Sequence, residues 1–437
     1  MDLLLKGGHV MDPNRHDGIM DIMVRDGNIA AIDPHITAKE LSGAPLLDLE
    51  VIDCNDCIVA PGFIDIHVHF REPGFEHKET IETGCRAAAH GGFTAVCTMP
   101  NTLPANDDPA VTEFILKKAS QTDLVRIYPA AAVSRGLAGK EICDFKALQA
   151  AGAVAVTDDG MPVAGSGMMR KALEKAGELG MPVMSHSEDL ELAAGGSMNE
   201  GRVALELGHR GIPNAAESIM VMRDIALSEL TGSHLHIAHV STRESVQAIR
   251  EAKKRGVNVT AETAPHYFSL TDDAVREFGA NAKMNPPLRL TEDRDAIIEG
   301  LQDNTLDAIA TDHAPHSESE KSEAFYKTPN GIIGLETAVP ISLALVEKGL
   351  LSMMDLIRRM STNPAKIINV DNGLKVGRPA DITVIDPHLN QVIDANKFQS
   401  KSRNTPFQGW KTKGKAIMTI VGGRVVYRSS QLVGSRE

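Results

Sequence analysis

The chain has 437 residues, 42% hydrophobic and 24% charged, with a formal net charge of −13. That is a globular composition with ample material for a large core. The acidic balance, with no Lys/Arg block, excludes nucleic acid and anionic membranes as partners, and no apolar run approaches the ~18 residues of a membrane span.

The start, Met1-Asp2-Leu3-Leu4-Leu5-Lys6-Gly7-Gly8, has an acidic second residue and reaches glycine too soon for a signal peptide. Five cysteines (Cys54, Cys57, Cys85, Cys97, Cys143) form an odd, sparse set. They point to reduced thiols and a cytoplasmic location. Cys54-Asn55-Asp56-Cys57 has C-x-x-C spacing without a second pair, so it reads as a turn, with a redox or metal role as the minor alternative. Residues 1–57 read as short strands and turns, with a hairpin at Asp26-Gly27 between Ile19–Val24 and Ile29–Ile32. Strand-like stretches return at Asp381–Asp386 and Ala416–Val421, with a Gly422-Gly423-Arg424 turn into Val425-Val426-Tyr427. Short terminal strands cannot bury enough surface alone. The two ends, 1–57 and 365–437, are therefore expected to pair into one small composite β-domain flanking residues 58–364.

Within 58–364, strand patterns alternate with helical ones. The expected strands are Phe63–His69, Phe93–Met99, Leu124–Ala131, Ala153–Thr157, Pro182–His186, Leu235–His239, Val257–Thr263 and Leu306–Thr311. The expected helices are Lys78–His90, Pro109–Ser120, Gly167–Leu179, Ala215–Glu229, Arg243–Arg255, Arg294–Leu301 and Leu335–Glu347. Eight strands in βα alternation give the α/β class and a TIM (β/α)8 barrel. A doubly wound open sheet is the alternative, but it favours a Gly-rich phosphate turn after its first strand, where this chain has His67-Val68-His69.

In a TIM barrel the active site lies at the C-terminal strand ends, and the unusual polar residues recur there. Strand one ends in His67, His69 and Arg71, with the histidines on one face by two-residue alternation. Strand two ends in Asn101, strand four in Asp158-Asp159, strand five in His186, strand six in His239, and strand eight in Asp312-His313-Ala314-Pro315-His316. One buried histidine is more often a core residue than a ligand. Four histidines and two aspartates at one rim suit zinc or a similar first-row metal. They are too many for one tetrahedral ion with an open position and suit two ions, ~3.5–4 Å apart, sharing a bridging group.

Two long motifs carry a family resemblance. Pro61-Gly62-Phe63-Ile64-Asp65-Ile66-His67-Val68-His69-Phe70-Arg71-Glu72-Pro73-Gly74 and Ala310-Thr311-Asp312-His313-Ala314-Pro315-His316 resemble the two signatures of the dihydroorotases, cyclic amidohydrolases of the amidohydrolase superfamily. Met99-Pro100-Asn101-Thr102 fits the same pattern. The resemblance implies reversible cyclisation of N-carbamoyl-L-aspartate to L-dihydroorotate and water, in pyrimidine (UMP) biosynthesis. It implies that His67, His69 and Asp312 hold one metal ion, that His186 and His239 hold a second, and that Asp312 shuttles the proton. Arg71, Asn101 and His316 would bind the substrate carboxylate and neighbouring groups. Asn285 would contact the ring, and the backbone at Asn330 and Gly331 would close over it. Many relatives bridge the metals with a carbamylated lysine at the end of strand four. This chain has no lysine there and resembles the bacterial branch with aspartate, so Asp159 is the expected bridge and Asp158 the fallback. A zinc pair, a homodimer and an association with aspartate carbamoyltransferase complete the expectations. A hydantoinase- or allantoinase-type cyclic amidase and a non-catalytic subunit of the carbamoyltransferase are the rivals.

Ser317 to Pro329 is rich in Ser, Glu and Lys and reads as a solvated loop or a lid over the rim. His266 is expected to support the ligands without joining them. His234 and His236 are out of phase with His239 and read as structural, while His9, His16, His35, His77, His90, His209 and His388 read as surface or packing residues.

Overall fold

The computed structural model describes residues 2–37 and 49–430. Met1, residues 38–48 and residues 431–437 of the expected terminal β-domain lie outside the described residues.

Five strands come from the first part of the chain: β1 (Asp2–Asp12), β2 (His16–Arg25), β3 (Asn28–Asp33), β4 (Leu49–Asp53) and β5 (Ile58–Pro61). The central region contributes β6 (Phe63–Val68), β7 (Phe93–Thr98), β8 (Arg126–Ala131), β9 (Ala155–Val156) and β10 (Val183–Ser185). A two-stranded ribbon, β11 (Met198–Asn199) and β12 (Gly211–Ile212), precedes β13 (Leu235–Ile237), β14 (Val259–Thr263) and β15 (Ala308–Ile309). The last part adds β16 (Ile382–Val392), β17 (Lys411–Val421) and β18 (Arg424–Arg428).

The two chain ends share one sheet, in the order β18-β17-β16-β5-β1-β2-β3, with β4 beside β1. The join is antiparallel pairing of β16 with β5, Ile382 opposite Pro61 through Ile385 opposite Ile58. Two tight turns meet across this sheet. Asp26 and Gly27 have φ of 48° and 79°, and Gly422 and Gly423 have φ of 54° and 76°. Both central positions of each turn are left-handed, as two-residue hairpins require. A Cβ on Gly423 would stand 2.5 Å from the Cα of Gly27, so the contact admits only glycine.

The second sheet runs β15-β14-β13-β10-β9-β8-β7-β6. Its strand pairs are all parallel. It closes between its ends: Val68 bridges to His313, the His69 N–H donates to the His313 carbonyl at 2.8 Å, and Asp65 Oδ1 accepts the Thr311 N–H at 3.1 Å. All eight expected strands are present, and the fold is the expected TIM barrel with a separate β-sheet domain from the chain ends. Several strands are shorter than their apolar runs, because the polar residues at the C-terminal ends leave the ladder for irregular backbone. The helix expected at Leu335–Glu347 begins at Ala338, and that expected at Arg294–Leu301 begins at Thr291. The ribbon at 198–212 was not expected, because two-residue strands carry no periodicity.

The five cysteines are buried free thiols. Cys54 and Cys57 flank a turn closed by the Cys57 N–H on the Cys54 carbonyl at 3.0 Å, and burial with the nearby Cys57 pushes the Cys54 thiol up to about 12. Among the described residues, no helix is long and apolar enough to cross a membrane.

The glycine contact gives a direct test. Gly423→Ala combines a left-handed φ with an overlap on Gly27 and should cost about 1–3 kcal/mol, read as a lowered thermal unfolding midpoint.

Candidate metal centre

Five barrel strands deliver side chains to one point. His67 is on β6 and His69 just beyond it; Asp159 follows β9, His186 follows β10, His239 follows β13 and Asp312 follows β15. Strict alternation along β6 is broken, since its pairing with β7 slips between Asp65 and Val68. The two imidazoles nonetheless converge, with ring centroids 5.4 Å apart. His239 lies past the regular part of β13 with φ of 35°, so it reaches the site despite being out of phase with His236. Arg71 (φ 63°) and Asp312 (φ 49°) are also left-handed. Such a backbone costs about 1–3 kcal/mol per residue and persists only where the surroundings impose it.

The carboxylate of Asp159 is the hub. Its Oδ1 lies 3.3 Å from His67 Nε2, 3.4 Å from His186 Nδ1 and 3.4 Å from His239 Nε2. Its Oδ2 lies 3.4 Å from His69 Nε2. Asp312 Oδ1 is 3.1 Å from His69 Nε2 and 3.7 Å from His67 Nε2. His186 Nδ1 and His239 Nε2 are 2.8 Å apart. Asp158 is elsewhere: its Oδ1 accepts the N–H groups of Val133 and Ser134, at 2.8 and 3.0 Å, and its Oδ2 the Ser134 hydroxyl.

All six residues are buried. His67 Nε2 and Asp159 Oδ1 face each other yet make no hydrogen bond. Buried polar atoms are rarely left so. The ligand atoms of His67, Asp159 and His239, and those of His67, His69 and Asp312, each lie within 4.8 Å of one another. The charges agree with the geometry. Burial resists ionisation of His186, but Asp159 and Glu188 overcome it and pull the imidazole up to about 10. Burial likewise pushes the Asp312 carboxyl up, and His69, His67 and His239 hold it well below the usual carboxylate range. The point stabilises positive charge and offers N and O donors, which suits a divalent cation.

Partners behind the ligands orient them. His69 Nδ1 meets Asn101 Oδ1 at 2.8 Å, so Asn101 spends its amide oxygen on a ligand and keeps only its NH2 group for other contacts. His67 Nδ1 meets Glu262 Oε1 at 2.7 Å. Burial raises the Glu262 carboxyl, and hydrogen bonds from His236 and His67 bring it down to about 2. His186 Nε2 lies 3.4 Å from Glu188 Oε2, and Asn285 Nδ2 donates to both Glu188 oxygens at 3.1 Å. The sequence reading missed Glu188 and Glu262 as contributors. A glutamate inside the apolar run Val259–Thr263 was the available signal, because an acidic residue is almost never fully buried unpaired. His266 is buried with Nε2 unpartnered, and burial pushes its imidazole down to about 4.

Beside this centre stands a cationic recess. Arg71 Nε donates to the Pro315 carbonyl at 3.2 Å, and Arg71 Nη2 lies 3.4 Å from His316 Nε2. Burial lowers the Arg71 guanidinium to about 10, still a full cation at neutral pH. Lys78 Nζ is 3.4 Å from His316 Nδ1. Burial and the adjacent Arg71, Lys78 and Lys321 drive the His316 imidazole down to about 2. His316 Nε2 lies 2.8 Å from the Asn330 carbonyl. Gly331, at φ 127°, has no room for a Cβ, which would fall 2.5 Å from that of Ala314. The Ser317–Pro329 segment is pinned rather than simply solvated. Lys321 donates to the carbonyls of Ala280 and Pro329 at 2.9 and 3.0 Å, and Lys283 to those of Phe325 and Thr328 at 2.7 and 2.6 Å.

A family model described as dihydro-orotase-like matches residues 56–245. The chain is 54% identical to a dihydroorotase of Desulforapulum autotrophicum, over 98% of this chain and 99% of that protein. It is 53% identical to a dihydroorotase of Syntrophus aciditrophicus, over 98% and 100%. Among solved structures, the L-hydantoinase (dihydropyrimidinase) of Arthrobacter aurescens superposes with a TM-score of 0.86 at 26% identity, over 98% of this chain and 96% of that one. A D-hydantoinase from a Thermus species gives 0.81 at 27% identity, over 99% and 97%.

Ligation needs neutral imidazoles and ionised carboxylates, so protons compete with the cation. Bound metal per chain, measured after dialysis across a pH series, should fall as pH falls from 8 to about 5.

Proposed function

The chain belongs to the dihydroorotase family, and from that premise we propose that it interconverts N-carbamoyl-L-aspartate and L-dihydroorotate through the rim just described. The observation that carries the reading is the Asp159 carboxylate with a nitrogen from each of four histidines within 3.4 Å, beside the half-buried Arg71 cation. The proposed cofactor is zinc, two ions per chain: His67, His69 and Asp312 would hold one and His186 and His239 the other, with the Asp159 carboxylate available to both. When bound, zinc supplies Lewis acidity, which brings the pKa of a ligated water from ~15.7 toward ~7.

The chain's own residues do the rest. In the hydrolytic direction, water adds to the ring amide carbonyl. The Asp312 carboxylate accepts the proton that water gives up and returns it to the ring nitrogen as the carbon–nitrogen bond breaks. Ring closure is the same path reversed, with water leaving. Positioned transfer of this kind is typically worth ~10²–10⁴-fold. Arg71 grips the substrate carboxylate through its planar fork, which lysine cannot do. His316, kept neutral beside Arg71 and Lys78, adds hydrogen bonding without a third charge. Asn101 and Asn285 present their unspent amide groups to the ring, and the Asn330–Gly331 backbone lies over it. In an acidic protein this local cationic recess lets an anionic substrate dock.

Hydantoinases share the scaffold, but the full-length identity to dihydroorotases and the carboxylate-binding recess favour the present substrate. The full ligand set favours an enzyme over a non-catalytic subunit. A homodimer, with aspartate carbamoyltransferase as its partner, is the proposed assembly, checked by light scattering with and without that enzyme.

Purified protein should hydrolyse dihydroorotate and leave hydantoin and allantoin essentially untouched; preference for either of the latter would overturn the assignment. Asp312→Asn should cut kcat by roughly 10²–10⁴-fold while most metal stays bound, as metal analysis of the same sample reads. Arg71→Ala should raise KM for dihydroorotate markedly, and an unmoved KM would mean the carboxylate is held elsewhere.

A further inference from the structure

His67 can direct Nε2 at the metal centre as a donor atom only if its proton sits on Nδ1. Four side chains on two adjacent strands bear on that choice. His236 of β13 and Thr260 of β14 are register partners. The two-residue period of a strand puts Glu262 on the face of Thr260 and His234 on the face of His236. The contacts form an unbroken series. His67 Nδ1 to Glu262 Oε1 is 2.7 Å, Glu262 Oε2 to His236 Nε2 is 3.2 Å, His236 Nδ1 to Thr260 Oγ1 is 2.9 Å, and Thr260 Oγ1 to His234 Nε2 is 2.8 Å. Glu262 and His236 are completely buried, and His234 at the far end is half-buried.

With the imidazoles neutral, as ligation requires, the direction of every link follows from the donor inventory. A carboxylate only accepts, so both imidazoles donate to Glu262, His67 from Nδ1 and His236 from Nε2. A neutral His236 that donates from Nε2 must accept at Nδ1, so the Thr260 hydroxyl donates to it. Thr260 Oγ1 then accepts from His234 Nε2. This order gives each contact one donor and one acceptor. It leaves His67 Nε2 with a lone pair aimed at Asp159 and Asp312.

We infer that Glu262, backed by His236 and Thr260, is the positioning residue that fixes the tautomer of His67 and keeps its Nε2 free for a metal ion. This rests on the metal reading of the site above, and it extends that reading from the ligands to a polar chain running along two strands away from the rim. Glu262 touches neither substrate nor reacting atoms; it acts through His67.

The test reads metal retention and imidazole protonation as well as turnover. Glu262→Gln keeps the shape but can accept from only one of the two imidazoles; its NH2 group forces the other to give up its proton on that nitrogen. Release of zinc from the holoenzyme to a chromophoric chelator should show the metal bound roughly 10- to 100-fold more weakly. At saturating zinc, KM for dihydroorotate should stay at the wild-type value. ¹⁵N resonances of the imidazoles should show His67 Nδ1 and His236 Nε2 both protonated in the wild type and one of these two signatures lost in the variant. Thr260→Val, which removes one hydroxyl at nearly constant volume, should weaken zinc binding several-fold in the same direction. Wild-type zinc affinity together with wild-type protonation of both His67 and His236 in folded Glu262→Gln would overturn the inference. If that variant does not fold, the same two readings in Thr260→Val decide it. If the wild type proves inactive on dihydroorotate yet Glu262→Gln still sheds zinc, the substrate reading falls and the positioning role stands.

Discussion

The structure depends on a buried concentration of charge at one end of the barrel. Asp159 and Asp312 sit among His67, His69, His186 and His239 at a barrel rim that leaves all six buried. Taking carboxylates out of water is expensive, and the penalty is recovered only with close partners and good geometry. Here the histidine nitrogens stand 3.1–3.4 Å from the carboxylate oxygens, too far and too poorly aligned in several cases to be the intended contact. A divalent cation between them would convert those near-contacts into coordination bonds. Barrel, candidate ligands and cation would then form one thermodynamic unit, in which metal binding and folding free energy are linked.

That unit explains why the backbone is irregular where it is. Arg71, His239 and Asp312 are left-handed, and β6 is bulged between Asp65 and Val68. The two-residue period of a strand already puts His67 and His69 on one face, and the left-handed backbone at Arg71 takes the chain off the ladder just beyond them. The barrel's closing contacts, Asp65 to Thr311 and Val68 to His313, lie next to the ligands. Closure and site geometry are thus held by the same residues, and a rigid seam supports the irregular segment.

Much of this was legible in the sequence. The eight apolar runs between helical patterns dictate the barrel, and Asp26-Gly27 dictates its hairpin through the left-handed φ that few residues tolerate. The ligand histidines stood out because imidazoles at strand ends have no packing purpose. What the sequence hid was non-local. That Asp159 rather than Asp158 faces the histidines depends on Val133 and Ser134 capturing the Asp158 carboxylate, a pairing across more than twenty residues. His236 looked merely structural because its phase differs from that of His239, and nothing local says that Glu262 waits across the register. The lysines that pin the Ser317–Pro329 segment were equally hidden, since composition reads exposed lysine where the fold buries Lys321 and Lys283 against carbonyls.

The comparison with the hydantoinases separates what the scaffold does from what the recess does. Folds that superpose with TM-scores of 0.86 and 0.81 at 26–27% identity share the architecture that gathers ligands. That architecture can activate water against a cyclic amide without saying which ring is cleaved. Discrimination must come from groups that one substrate satisfies and its rival leaves unpaired, because a buried donor without an acceptor costs more than a made hydrogen bond gains. On the proposed reading, Arg71 is such a group. Its guanidinium is half-buried, remains charged, and stands beside a histidine held neutral. A ring lacking a carboxylate would leave that cation desolvated and unmatched. On the proposed reading, selectivity would arise less from attraction to the right substrate than from the penalty that a half-buried, permanently charged fork imposes on the wrong one.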